Sequence, residues 1–285
     1  MNIILGATGQ IGSMVVDNLL EKGEAVRAVV RDELKAQSLK EKGAEVAVAD
    51  YFYGEELKKA FKGGSTVFLL TPENPFGEDF IGDIEKIIKN YREAVISSGI
   101  DKIVGLSSMG AQNPSGTGNL EASYLLEHGF SDIEAELIFV RSAYYFSNWL
   151  AYLEMAENQG ILPTFFPPDM KLPMIAPPDT AKFLSDIIAS HSPQERIYEI
   201  EGPCAYTSLD IAEIFQEVLN RKVTLNQIMA EEWEDTFMQS GFSKDGTENL
   251  MLMTKAVIDG KTHKEMDNII QMPTDFKSYL INTLK

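Results

Sequence analysis

The sequence predicts an α/β protein: a doubly wound parallel sheet with a smaller, mostly helical C-terminal portion. Three observations point there. Short apolar segments rich in Val and Ile alternate with stretches of helical period through the first half of the chain, the pattern of βαβ units covered on both faces. The first of these segments runs straight into a glycine-rich turn, GATGQIG, at residues 6–12. Past Val140 the alternation stops, and Pro-rich and helical stretches take over.

Taken in order, the expected strands are Asn2–Leu5, Ala25–Val30, Glu45–Val48, Thr66–Leu70, Lys102–Leu106 and Glu136–Val140. Between them the 3.6-residue period predicts helices over Gln10–Lys22, Glu33–Glu41, Glu55–Phe61, Ile81–Ser98 and Asn119–His128. Each of these helices ends near a glycine (Gly23, Gly43, Gly63, Gly99 and Gly129), the residue most often found there. RSAYYFSNWLAYLEMAENQG reads as a loop and then a helix, and ILPTFFPPDMKLPMIAPPD as irregular chain with short strands. A helix near Asp179–Ser190, a strand at Arg196–Glu199 and a helix capped by Thr207 or Ser208 follow, and the remainder is mostly helical. The expected division is a binding domain over 1–150 and a smaller substrate or partner region over 151–285 packed on it.

With 285 residues, 44% of them hydrophobic, the chain can bury a large core. Its 43 acidic residues outnumber 25 basic ones, for a net charge of −18. No cationic run is visible, which argues against direct binding to nucleic acid or to an anionic membrane. The lone Cys204 cannot form an intramolecular disulfide and is expected to be a small buried residue. No apolar run approaches the ~20 residues of a membrane span. With no basic leader before the first strand, the expectation is a soluble cytoplasmic protein, monomeric or homodimeric.

The turn after the first strand carries the first chemical signal. Gly6, Gly9 and Gly12 allow a tight turn, a close approach of phosphate to backbone amides, and close packing of helix on strand. Ala7, Thr8, Gln10 and Ile11 complete the segment, which opens a helix whose free amides and positive dipole end suit a pyrophosphate. The expected fold is therefore Rossmann-type and the expected ligand a dinucleotide. Arg31, at the end of the second strand, falls beside the adenosine ribose, where a cation pairs with a 2′-phosphate and an acid accepts from a 2′-hydroxyl. Arg31, with Lys35 one turn on, favours NADP (NADPH) over NAD, which stays the alternative.

The spacing G-x-x-G-x-x-G, VVRD, ADY and RSAYYFSNW together resemble the NmrA-like family of atypical short-chain dehydrogenases/reductases. That family includes quinone reductases, aromatic ether reductases and proteins that bind dinucleotide without turning it over. The resemblance implies adenine contacts from Asp50 and Tyr51, and a cofactor path past Leu70, Thr71, Pro72 and Ser107. It also implies a nicotinamide-side segment at Tyr145, Phe146, Ser147 and Asn148. Ser108, whose hydroxyl can bond a carbonyl, Asn119 and Tyr144 are the substrate-side candidates among the residues themselves.

The proton donor of the wider superfamily, Tyr-x-x-x-Lys, is absent: Tyr124 is followed four residues on by His128 and Tyr144 by Asn148. Where catalytic relatives carry Lys or His at the start of the helix after the fifth strand, this chain has Gly118 and Asn119. Asn119 can orient a carbonyl but cannot protonate it. The expected reaction is thus reduction of quinones or other electron-poor small molecules, with no protein acid in the pH profile. The alternative is a dinucleotide-sensing regulator that binds a protein partner.

Overall fold

The structure, a computed structural model, describes every residue except Pro193, with Lys35 described through its backbone alone. The first half forms β1 (Asn2–Ile4), α1 (Gln10–Glu21), β2 (Val26–Val30), α2 (Ala36–Glu41), β3 (Glu45–Val48) and α3 (Gly54–Phe61). It continues through β4 (Thr66–Leu69), α4 (Phe80–Ser98), β5 (Lys102–Ser108), α5 (Glu121–His128) and β6 (Glu136–Ser142). Strands β1 and β4 are buried along their whole length, as expected of a parallel sheet covered on both faces. The expected helices at 33–41 and 119–128 each begin as a single 3-10 turn, Glu33–Lys35 and Gly118–Leu120.

The second half adds β7 (Tyr144–Tyr145), α6 (Ser147–Leu150), α7 (Leu153–Gln159), β8 (Ile161–Thr164), β9 (Leu172–Ile175), α8 (Pro177–Ala189) and β10 (Ile197–Glu201). Then come β11 (Ala205–Tyr206), α9 (Ser208–Leu219), β12 (Thr224–Gln227), α10 (Trp233–Gln239), α11 (Lys244–Ile258), β13 (Ile270–Gln271) and α12 (Phe276–Thr283). Thr207 caps α9 with a reciprocal bond to Asp210.

The main sheet has the order β13-β10-β6-β5-β4-β1-β2-β3. All of its pairings are parallel. Two of its strands, β10 and β13, come from beyond residue 150, so the later chain extends the sheet as well as packing on it. Helices α1 and α8 cover one face around Val15, Val16, Leu19, Leu184 and Ile188. On the other face α3, α4 and α5 bury Phe61, Ile84, Ile87, Tyr91 and Leu126. A third core around Phe146, Trp149, Phe215 and Phe276 holds the C-terminal portion together. Cys204 is exposed rather than buried, because it sits in the surface turn between β10 and β11.

Strands β1 and β4 are neighbours, but the chain leaves them toward opposite faces of the sheet, through α1 and α4. That reversal opens a crevice at their carboxyl ends, where ligands of such sheets bind.

Candidate functional site

The glycine turn lies in this crevice. Gly6 takes φ +62°, a left-handed conformation that glycine adopts without penalty, and the Gly9 amide donates to its carbonyl at 2.8 Å. Gly9 is extended (φ −85°, ψ 174°) at the N-cap of α1, and no side chain caps that helix, so its first amides remain for a ligand. A Cβ on Gly12 would stand 2.2 Å from the Gly6 carbonyl oxygen, whereas one on Gly9 would meet only that oxygen, at 3.2 Å. Gly12 thus lets helix and turn touch, and Gly9 keeps an open approach to the backbone. Thr8 and Gln10 are exposed at the turn, while Ala7 and Ile11 pack inward.

Arg31 follows β2 directly and is exposed, its guanidinium carbon 5.9 Å from the centre of the Tyr51 ring. Among the described residues Asp32 forms no ion pair with it. The Asp32 carboxylate accepts the Leu34 amide at 2.9 Å and caps the following turn. The side chain of Lys35 lies outside the described residues. Asp50 is engaged locally, accepting the Phe52 amide at 2.9 Å. Tyr51 is buried beside the turn and meets Tyr91 edge-on. Burial raises its phenol pKa, partly offset by Arg31 and the Gly6 backbone. An open phosphate approach next to an exposed cation with no ion-pair partner among the described residues fits a dinucleotide carrying a 2′-phosphate.

Leu70 links this cradle to a cavity of about 510 Å³: its Cδ2 would touch a Cβ on Gly6 at 2.6 Å, and it lines the cavity wall. The cavity opens over the carboxyl ends of β5 and β6. It gathers Leu70, Thr71, Ser107, Ser108, Asn119, Tyr144, Tyr145 and Asn148 from the residues expected at the cofactor or substrate. Pro72 is half-buried on the loop beside it. Ser147 instead donates to Gln10 Oε1 at 3.2 Å, joining the β7–α6 segment to the glycine turn. The Phe146 side chain turns away and is fully buried among the rings of Tyr206, Phe276 and Tyr279.

The protons of the two serines point elsewhere. Ser107 Oγ donates to Glu127 Oε1 at 2.6 Å, and Ser108 Oγ to the Met109 carbonyl at 3.1 Å. Glu127 also receives Arg141 through Nε at 2.8 Å and Nη2 at 2.7 Å, all three groups being buried. Arg141 reaches on to Glu199 and Glu265, and Glu199 accepts the backbone amides of Glu265 and Met266. This ionic knot ties the loop carrying cavity residues Thr262, His263 and Lys264 to the sheet.

Neither cavity tyrosine is a ready acid. Burial raises the Tyr144 phenol, with a further rise from Tyr152, offset in part by Asn148. Burial pushes Tyr145 up to about 12, offset in part by the Ser142 and Thr180 hydroxyls. Among the described residues the buried Tyr145 hydroxyl makes no hydrogen bond of normal geometry, though the Ser142 and Thr180 hydroxyls lie near it. Both remain protonated donors at neutral pH.

Position 118 shows why no lysine stands there. Gly118 has φ +57°, and a Cβ on it would sit 1.9 Å from the Asn249 carbonyl oxygen, so α11 occupies the space. His128 is exposed, stacks on Tyr124 and bonds the Tyr124 carbonyl, as a helix-end imidazole does.

Glu73, Lys171, Glu201, Met253 and His263 line the cavity without any signal in the sequence. Glu73, Lys171 and His263 lie in loops, Glu201 ends β10 and Met253 sits on α11, so nothing local set any of them apart. Solvent reaches Glu73, yet the surrounding walls hold its carboxyl above the ordinary range by desolvation. Among the described residues no helix is long and apolar enough to cross a membrane.

Comparison with known proteins agrees with this geometry. The chain is 25% identical over 230 residues to quinone oxidoreductase 2 of Escherichia coli (strain K12), covering 80% of this chain and 78% of that one. It is 26% identical over 238 residues to the NAD(P)H azoreductase of Xenophilus azovorans, covering 81% of this chain and 78% of the relative. The structure of the Citrobacter sp. triphenylmethane reductase complexed with NADP(H) superposes with a TM-score of 0.84 over 99% of both chains, at 22% identity. With the glycine turn, the switch-point crevice and the adjoining cavity in place, and the NmrA-like family model matching residues 2–280, the chain belongs to the NmrA-like family.

Proposed function

We propose that this chain is an NADPH-dependent reductase of quinones or other electron-poor small molecules, with NADH as the poorer cofactor. One observation carries the reading: the dinucleotide cradle runs, at Leu70, into a large cavity walled mainly by apolar and aromatic side chains. The relatives' names, quinone oxidoreductase and NAD(P)H azoreductase, support the same class of acceptor.

The amides of residues 6–12 would hold the pyrophosphate at the N-terminus of α1. Arg31 would pair with the 2′-phosphate, and Asp50 and Tyr51 would flank the adenine. A nicotinamide cofactor, when bound, supplies hydride. The chain's own part is to seat a flat acceptor against it, among the apolar lining side chains of Phe166, Met170, Leu172, Met253 and Val257. These apolar walls limit the water beside a seated acceptor, and the Asn119 amide is available to orient an acceptor oxygen. A sensor of cofactor state without turnover would need no such cavity.

The test is NADPH consumption by purified protein with a benzoquinone, an azo dye, a cationic triarylmethane dye and an aromatic aldehyde. We expect turnover with the quinone above all and little with the aldehyde. NADPH binding with no consumption in the presence of any acceptor would refute the reading.

A further inference from the structure

Resting on the reductase reading, we propose that Glu73 is the proton donor to the reduced acceptor, its carboxyl presented into the cavity by a loop held at both ends. The loop between β4 and α4 is clamped on either side of this residue. Tyr91 Oη donates to the Leu70 carbonyl at 3.2 Å, and the Ser243 amide donates to the Pro75 carbonyl at 3.0 Å. The N-terminus of α11 abuts the second clamp, since a Cβ on Gly246 would stand 2.1 Å from the Pro75 oxygen. Between these points the Glu73 side chain lines the cavity. Among the described residues its carboxyl has no ion-pair or hydrogen-bond partner, so both oxygens are available to a ligand.

The other polar groups of the cavity are less suited to deliver a proton. Ser107 and Ser108 have theirs directed to Glu127 and to the Met109 carbonyl. The phenols of Tyr144 and Tyr145 are pushed upward by burial, away from the range in which they would release a proton readily. Lys171 and Lys264 bring positive charge to the wall, and Glu201 stands at the end of β10. His263 has its Nδ1 at 2.9 Å from the Gly260 carbonyl. Glu73 combines a place on a loop clamped at both ends with a carboxyl that has no partner among the described residues. Desolvation raises its pKa even though solvent reaches the residue, favouring its proton-bearing form.

The step balances. A quinone that accepts hydride, two electrons and a proton together, becomes the hydroquinone monoanion. The O–H bond of Glu73 then breaks and its proton bonds to the phenolate oxygen, leaving a carboxylate that water reprotonates. Each turnover consumes one NADPH and one proton. This replaces the expectation, drawn from missing Tyr, Lys and His motifs, that no protein acid shapes the pH profile.

The test compares wild type, Glu73→Gln and His263→Gln in three measurements: benzoquinone turnover between about pH 5 and 9, NADPH affinity, and duroquinone binding to the cofactor-free protein. Wild type should lose kcat as pH rises through the Glu73 titration. Glu73→Gln should lower kcat by about a hundredfold and flatten that limb, with NADPH affinity changed less than about twofold. Duroquinone binding to wild type should weaken severalfold from about pH 5 to 8, as the neutral carboxyl donor disappears, and Glu73→Gln should abolish that dependence. If Glu73→Gln keeps wild-type kcat and its alkaline limb, or His263→Gln removes the limb instead, the assignment to Glu73 is overturned while the reductase reading stands. Wild type inactive with every acceptor sinks the reductase reading, and this one with it, before any variant is compared.

Discussion

Gly9 and Gly12 sit three residues apart in one turn, yet substitution should act on them in opposite ways. In Gly9→Val the backbone is already extended, at φ −85° and ψ 174°, so a β-branched residue fits without strain. Its Cβ meets one atom, the Gly6 oxygen at 3.2 Å, a contact relieved by a few tenths of an ångström. The stability cost, including the weaker N-cap, should stay within about 1 kcal/mol. The side chain would nonetheless stand where the pyrophosphate must approach the amides. Losing two charge-assisted bonds of about 1.5–3 kcal/mol each lowers affinity by roughly two to four orders of magnitude. Gly12→Ala reverses the balance. Its Cβ falls 2.2 Å from the Gly6 oxygen and 2.6 Å from the Gly6 carbonyl carbon, both backbone atoms that cannot rotate away. Helix α1 must move outward by roughly 1 Å, an overpacking cost of about 1–3 kcal/mol or more. Thermal melts with NADPH titration by calorimetry separate the two. A Gly9→Val protein that binds NADPH like wild type, or a Gly12→Ala protein that melts like it, would refute the assignment of these glycines.

Arg31→Ala should weaken NADPH by about tenfold to a hundredfold and NADH far less, through loss of an exposed charge-assisted pair; equal losses in calorimetry would make Arg31 structural. Arg141→Met leaves the carboxylates of Glu127 and Glu199 buried without their cation and should cost about 3–5 kcal/mol in denaturant melts. A loss under about 1 kcal/mol would mean the knot contributes little. Because the folded state raises the pKa of Glu73 above its unfolded value, its contribution is present at low pH and lost as pH rises through the folded pKa. Glu73→Gln should therefore stabilise the protein more at about pH 8 than at about pH 4, and melts showing the opposite order would contradict the raised pKa. Gly118→Ala should destabilise by more than about 2 kcal/mol, since the new Cβ meets the backbone of α11, and an unchanged melt would refute that packing.

What the sequence by itself determined is local. The alternation of Val- and Ile-rich runs with amphipathic stretches specifies strands and helices through side-chain period, and the parallel sheet follows. The glycine turn was legible because a left-handed Gly6 and a helix start at Gly9 are properties of consecutive residues. Arg31 was legible because strand end and chemistry coincide in one residue. The later strands were less so: β10 was visible as a strand, but its place beside β6 comes from a pairing of Ile197 with Phe139 across nearly sixty residues. Only the tertiary structure decided the cavity, which draws Glu73, Asn119, Lys171, Glu201, Met253 and His263 from separate segments. It also decided that Phe146 packs inward against Phe276 and that Ser107 gives its proton to Glu127. The physical reason is range. Period and turn chemistry act over a few residues, whereas the proton a side chain offers, and the face it turns to a ligand, depend on neighbours that distant packing brings to it.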